Sequence, residues 1–173
     1  MHETSEMRGQ VVFLMGFALM CYGAGAGFIE SFVNYPSWQL IGPTEFRTYH
    51  QFISPRVIAY LVAPLALGTV CTLLLLWSRP RAVSLGMVCA ALALQAATWA
   101  STATIQIPIQ VALSSSGQDI ALLERLITTN FWYRRVPMFV NSALFIWMAL
   151  RVVRESSLIR SRAFEAGTAH GKA

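Results

Sequence analysis

The chain has 173 residues, of which 55% are hydrophobic and only 12% charged, and its mean hydropathy is +0.53. A soluble surface needs roughly 25% charged residues, so about half the usual solvating charge is missing and a soluble domain is a poor fit. The net charge of +5 does not point to nucleic acid, because the basic residues sit at segment ends and form no basic face interleaved with exposed aromatics.

The charges are segregated along the chain. Between Arg8 and Glu30, between Arg56 and Arg79, and between Arg81 and Asp119 there is no Asp, Glu, Lys or Arg. A helix crossing a bilayer needs about 20 mostly apolar residues, and these gaps supply them. A water-soluble bundle would show a charged face every turn. The expected fold is therefore all-α, an integral membrane four-helix bundle forming one domain over residues 1–155, with a flexible polar tail at 156–173.

Helix one is expected over about residues 11–33. Glu3, Glu6 and a single Arg precede its apolar run, which does not read as a cleaved signal, so the segment is expected to be retained. Gly23 and Gly27 form a small-xxx-small pair suited to close helix approach. Helix two is expected over about 56–77, with Ser54 and Pro55 marking its start. The turn Ser78-Arg79-Pro80-Arg81 leads to helix three, about 83–105. Only 15 residues separate Arg135 from Arg151, roughly 22 Å of helix. Helix four must therefore extend to about 132–153, with some of Arg134, Arg135 and Arg151 at the membrane boundary or facing the protein.

Arginine and lysine bias sets orientation. Eight basic residues (Arg8, Arg79, Arg81, Arg151, Arg154, Arg160, Arg162, Lys172) fall on one side and five (Arg47, Arg56, Arg125, Arg134, Arg135) on the other. That predicts both termini in the cytoplasm of a bacterial inner or plasma membrane. Both long connections, 34–55 and 106–135, then fall outside, as loops capping the bundle. The second should carry a short amphipathic helix, with Ile120, Leu123, Leu126 and Ile127 at helical spacing. Cys21, Cys71 and Cys89 lie within apolar segments and read as packing residues.

Polar residues gather at that outer end. Glu30 closes an otherwise uncharged helix and shares a face with Asn34 four residues on; it is either functional or a boundary residue paired with Arg56, Arg134 or Arg135. His50 is the one histidine outside the terminal tails. Imidazole can take a proton near neutral pH, or His50 is simply a hydrogen-bonded interfacial residue. A single histidine cannot grip a b-type haem from both faces. With Glu30 and Glu45 it has no local spacing for zinc, so no metal or cofactor is expected. Gln106 and Gln110 bracket Pro108, which frees a backbone carbonyl; with Asn130 they either satisfy it or orient a ligand. Gln95 and Thr98 read as interhelical hydrogen bonds. The candidate catalytic residues are His50 and Glu30. The candidate substrate-binding residues are Asn34, Trp38, Tyr49, Trp99, Gln106, Asn130, Trp132, Arg134 and Arg135. The same aromatics would also suit an ordinary interfacial belt.

This pattern resembles the anthrone-oxygenase-like family of small four-helix membrane proteins. The resemblance rests on Glu30 and Asn34, on Tyr49-His50-Gln51-Phe52-Ile53-Ser54-Pro55, on Gln106-Ile107-Pro108, and on Leu126-Ile127-Thr128-Thr129-Asn130-Phe131-Trp132. It covers most of residues 10–152. It implies a four-helix bundle and, for some members, cofactor-independent oxidation of polycyclic phenolic anthrones to quinones. The expected partners are the lipid bilayer and a lipophilic small molecule, with a homo-oligomer or a membrane partner subunit left open. The competing function is a non-catalytic membrane subunit or assembly factor binding a partner protein or lipophilic ligand. A carrier or channel is disfavoured by the few intramembrane charges and the lack of an evident internal repeat.

Overall fold

The computed structural model describes the backbone of residues 2–170, and side chains between residues 6 and 161 except 159 and 160. The side chains of His2, His170, Arg160 and Arg162, and the whole of Lys172, lie outside the described residues. Four helical rods make up the fold: Glu6–Leu40, Pro43–Ser78, Leu85–Ser116 and Ile120–Leu158, each long and apolar enough to cross a membrane. No strand occurs among the described residues. The fold is an all-α four-helix bundle. Rod one packs on rods two and four, and rod three packs on the same two, closing an antiparallel square.

The rods are longer than expected. They hold 35, 36, 32 and 39 residues; at about 1.5 Å per residue they run to roughly 50–60 Å, well beyond the roughly 30 Å of a hydrocarbon core. The two connections expected as loops are helical continuations of the rods. Only residues 41–42 and 117–119 interrupt them at this end, which we call the cap end. Pro43 occupies the first turn of rod two, where its missing N–H costs nothing. Gly117, at φ 90°, takes the left-handed turn that ends rod three. The Asp119 side chain then caps rod four by accepting from the Leu122 N–H at 3.0 Å. Pro55, expected to open helix two, lies inside a helix that began at Pro43. At the other end of rod four, helix continues to His170, where a flexible tail was expected from residue 156.

The rods continue past four of their internal prolines, Pro55 excepted, by a shared device. Each contains one π-helical segment: Glu30–Asn34, Ile58–Val62, Thr102–Gln106 and Phe131–Arg135. Each segment ends two residues before a proline: Pro36, Pro64, Pro108 and Pro137. Proline has no N–H, and its ring collides with the carbonyl four residues back. Widening the turn by one residue relieves the collision. Accordingly the N–H groups of Tyr35, Ala63, Ile107 and Val136 reach the carbonyls five back, of Glu30, Ile58, Thr102 and Phe131. In rod two the carbonyl four before Pro64 is served instead by Tyr22, whose hydroxyl donates to the Tyr60 carbonyl at 2.7 Å. The four rods thus share one structural regularity, a π turn ending two residues before a proline.

Two cores fill the bundle. The cap end is packed around Tyr35, Trp38, Phe46, Leu113, Leu123 and Leu126. The opposite half is closed by Phe13, Leu75, Val88, Phe145 and Met148. Cys71 is buried and Cys21 and Cys89 are exposed, all as free thiols.

Candidate functional site

Between these cores lies a cavity of about 500 Å³, bounded by Ile53–Val62 of rod two and Trp99–Ser114 of rod three, and closed behind by Glu30, Tyr35, Trp38 and Arg134. It sits where the π turns at Ile58–Val62 and Thr102–Gln106 face one another. A π turn displaces the backbone outward and re-aims the side chains beyond it. The cavity rim includes Ile58, Ile107 and Val111, which are 61%, 52% and 61% exposed. The cavity thus opens between rods two and three past an apolar rim.

Glu30, Trp38, His50, Trp99, Gln106 and Arg134, drawn from all four rods, line the cavity. Asn34 stands behind Glu30, donating to its Oε2 at 2.7 Å. Tyr49 packs edge-on to Trp38 with ring centroids 6.3 Å apart, outside the lining. Asn130 is buried behind the wall: its Nδ2 donates to Ser31 Oγ at 2.6 Å, and its Oδ1 accepts from Arg134 Nη1 at 3.3 Å and Arg135 Nη2 at 3.5 Å. Asn130 therefore holds the arginines rather than a substrate. Arg135 is fully buried against Gly27 and Met138 and does not reach the cavity. Trp132, 60% exposed, faces away from the bundle beside Phe131. It leaves the list of cavity residues because the π turn rotates it outward.

The lining also includes Gln110, which the sequence leaves as a backbone partner or a ligand contact, and Tyr35, Ser54, Thr102 and Ser114, which it does not assign to substrate. A signal for most of them exists. Thr102, Gln106, Gln110 and Ser114 recur every four residues, one polar stripe on a helix. The stripe becomes visible once rod three is carried through Pro108 to Ser116.

His50 is clamped on both ring nitrogens. Nε2 lies 2.6 Å from Gln110 Oε1, while Nδ1 lies 3.0 Å from Ser114 Oγ and 3.4 Å from Ser54 Oγ. With Gln110 Oε1 accepting, Nε2 carries the proton and Nδ1 presents its lone pair to the serine hydroxyls. Each hydroxyl has one proton and also lies near the carbonyl four residues before it, at 2.6 Å for Ser54 and 2.9 Å for Ser114, so whichever serine donates to Nδ1 leaves its own carbonyl. The ring is stacked on Phe46 and meets Trp38 edge-on. Glu45 is exposed and bonded to Thr44, so it does not join His50 and Glu30. Among the described residues no group of three or more His, Cys, Asp or Glu side chains comes together.

Four lining residues each hold a buried polar atom with no partner: Glu30 Oε1, Trp38 Nε1, Gln106 Oε1 and Arg134 Nε. A buried unsatisfied group costs about 1–3 kcal/mol. These atoms are themselves covered, so a polar-edged guest reaches them only as the lining side chains turn towards it.

Trp99 forms the floor, held by Nε1 donation to Thr69 Oγ1 at 3.0 Å. Below it Gln95 Nε2 bridges to Thr72 Oγ1 at 3.1 Å, the interhelical bond expected of it. Thr98 instead bonds its own helix at Leu94 O, 3.0 Å away. A small void of about 10 Å³, lined in part by Gln95 and Asn141, matches one water molecule.

Fold and cavity together define a four-helix bundle of membrane-spanning length with a ligand-sized, mostly apolar site at its cap end. No protein-family model, no curated protein and no solved structure matches the chain.

Proposed function

We propose that the protein is an integral membrane oxidoreductase that takes a lipophilic, phenolic aromatic molecule from the bilayer into the cavity and oxidises it with O2. The observation that carries this reading is the 500 Å³ cavity with an apolar rim and unpartnered polar atoms on its inner wall. Both termini are assigned to the cytoplasmic side by the arginine bias, which puts the cap end and its cavity in the opposite leaflet.

The chemistry follows from the residues. In an anthrone-type substrate the ring CH2 is acidified by the adjoining aromatic ketone. Glu30 Oε1, a carboxyl oxygen without a partner, accepts one CH2 proton. The electron-rich anion passes an electron to O2, and the radical pair recombines to a C–O bond, giving a hydroperoxide once the peroxide oxygen is protonated. Loss of the second C–H proton with departure of water yields the quinone carbonyl. Gln106, through its amide N–H, and Arg134 stabilise the oxyanion that develops on the ring oxygen. His50, through Ser114, is assigned to position the substrate hydroxyl. Oxygen uptake with anthrone-type substrates tests this. Glu30→Gln should slow turnover by about 10²–10⁴-fold, the range for loss of an acid–base group, and His50→Ala by about 10- to 100-fold as the substrate's position is lost. Rates equal to wild type in both variants would overturn the assignment.

The clamping of both His50 nitrogens by protein groups favours a second reading, a binding protein without chemistry. A co-purified aromatic molecule that stays unchanged under O2 would select it. The channel reading loses support from the closed half of the bundle, where Phe13, Leu75, Val88, Phe145 and Met148 are essentially inaccessible.

A further inference from the structure

Arg134 and Arg135 are both buried, at 7% and 1% exposure. The one ion pair among the described residues joins Arg81 to Glu6, far along the bundle, so neither guanidinium has a carboxylate within 4.0 Å. Glu30 is the one acidic residue buried in this part of the structure, so two formal positive charges face one negative charge. A buried charge is tolerated when paired and hydrogen-bonded. Arg135 donates to Asn130 and to the Met138 sulfur, its Nε has no partner, and it does not line the cavity. Arg134 makes a long hydrogen bond to Asn130 at 3.3 Å and lies beside the Tyr35 hydroxyl, and its Nε has no partner. Arg134 is the guanidinium that lines the cavity.

We propose that the molecule taken up by this cavity is a lipophilic acid, whose carboxylate or acidic phenolate oxygen pairs with Arg134 while its apolar body lies along the seam between rods two and three. The proposal rests on the reading of the cavity as a lipophilic-ligand site and names the ligand's charge. A guanidinium presents a planar fork that fits a carboxylate. An inorganic anion would satisfy the charge and leave most of the 500 Å³ unfilled, so the anion must bring an apolar body.

The test titrates full-length protein in lipid nanodiscs with 9-anthroic acid and with its methyl ester, following anthracene fluorescence anisotropy, for wild type, Arg134→Gln and Arg134→Lys. Comparing each probe across variants removes its partition into lipid. The acid should bind wild type about 10- to 100-fold more tightly than it binds Arg134→Gln, the range for one charge-assisted hydrogen bond. Ester binding should be unchanged, and Arg134→Lys should keep most of the acid's advantage. Acid and ester falling equally in Arg134→Gln, or neither falling, overturns the proposal and leaves the lipophilic site intact. If neither probe binds wild type, the cavity reading and the proposal both fail. Displacement of the bound acid by palmitate identifies an acyl acid as the source of the anion. Resistance to palmitate identifies an aromatic acid. Should Arg134→Gln lose its fold, the wild-type and Arg134→Lys titrations decide: the acid must compete for the ester's site in both, at lower concentration than the ester itself.

Discussion

Gly27 lies against the guanidinium of Arg135 so closely that a Cβ built on it would overlap Nη1 and come within 2.7 Å of the central carbon Cζ. The glycine is there to admit an arginine head group from rod four, and only secondarily to let helices approach. At its neighbour in the motif, Gly23, a built Cβ would come within 3.1 Å of Leu65 Cδ1 and Met138 Cε, a tight fit against the ends of flexible apolar side chains. Gly27→Ala should therefore destabilise the protein by about 2 kcal/mol or more, as expected when a buried polar group is displaced from its partners. Gly25 has nothing within 4 Å, so Gly25→Ala should be neutral or stabilising by up to about 1 kcal/mol. Thermal unfolding in detergent measures both. Adding Arg135→Gln to Gly27→Ala should recover part of the loss, because the two positions share one space. Equal melting temperatures for the two alanine variants would show that Arg135 does not need the gap.

The rods themselves were legible in the sequence, because a bilayer-length stretch without charge has few other uses. Their ends were not. Pro36, Pro55 and Pro108 read as loop punctuation, since the residue before a proline is normally turned away from helix. Here the π turns carry the backbone through three of the four in-helix prolines that flank the cavity region, and beyond Pro137 as well. Each extra residue rotates later side chains by about 100°, so a face assigned on one side of the turn does not carry across it. That is why Glu30, His50 and Gln106 were found, yet Trp132 faces out while the adjacent Arg134 and Arg135 are both buried.

The π turn in rod three should matter for function more than for stability. Pro108→Ala restores an N–H and removes the clash that holds the turn open. The helix can then regularise, turning Gln106 and Thr102 away from the cavity. The expected result is a melting temperature equal to or above wild type with ligand binding weakened about tenfold or more. Binding equal to wild type would show that the wide turn persists without its proline.

The clamp on His50 makes a separate prediction. Gln110→Leu removes the acceptor for Nε2, 2.6 Å away, and leaves a buried ring N–H unpaired at a cost of about 1–3 kcal/mol. The ring should then rotate or exchange tautomers. Substrate oxidation should fall about 10- to 100-fold as its positioning is lost, whereas Gln110→Glu, which keeps an acceptor oxygen, should retain more activity. Carbon and nitrogen shifts of labelled His50 report the tautomer directly. A ring spectrum identical in Gln110→Leu and wild type would show that Gln110 does not set it.

Asn141 offers the opposite expectation. It is buried, its Nδ2 donates to the Met20 sulfur at 3.3 Å, and its Oδ1 has no protein partner. A thioether is a weak acceptor, so the amide returns little for its desolvation. Replacing a poorly paired polar group with an apolar one of similar shape is near neutral or stabilising. Asn141→Leu should therefore match wild type or exceed it by about 1 kcal/mol in thermal unfolding. Gln95→Leu should cost more, because it removes a bond between two helices, the Gln95 Nε2 donation to Thr72 Oγ1 at 3.1 Å, and leaves Thr72 only its bond to the Gly68 carbonyl at 2.9 Å. A large loss in Asn141→Leu would mean that its carbonyl is satisfied by a tightly held water in the 10 Å³ void beside it, and proton-detected water contacts to residue 141 would then be visible in wild type and absent in the variant.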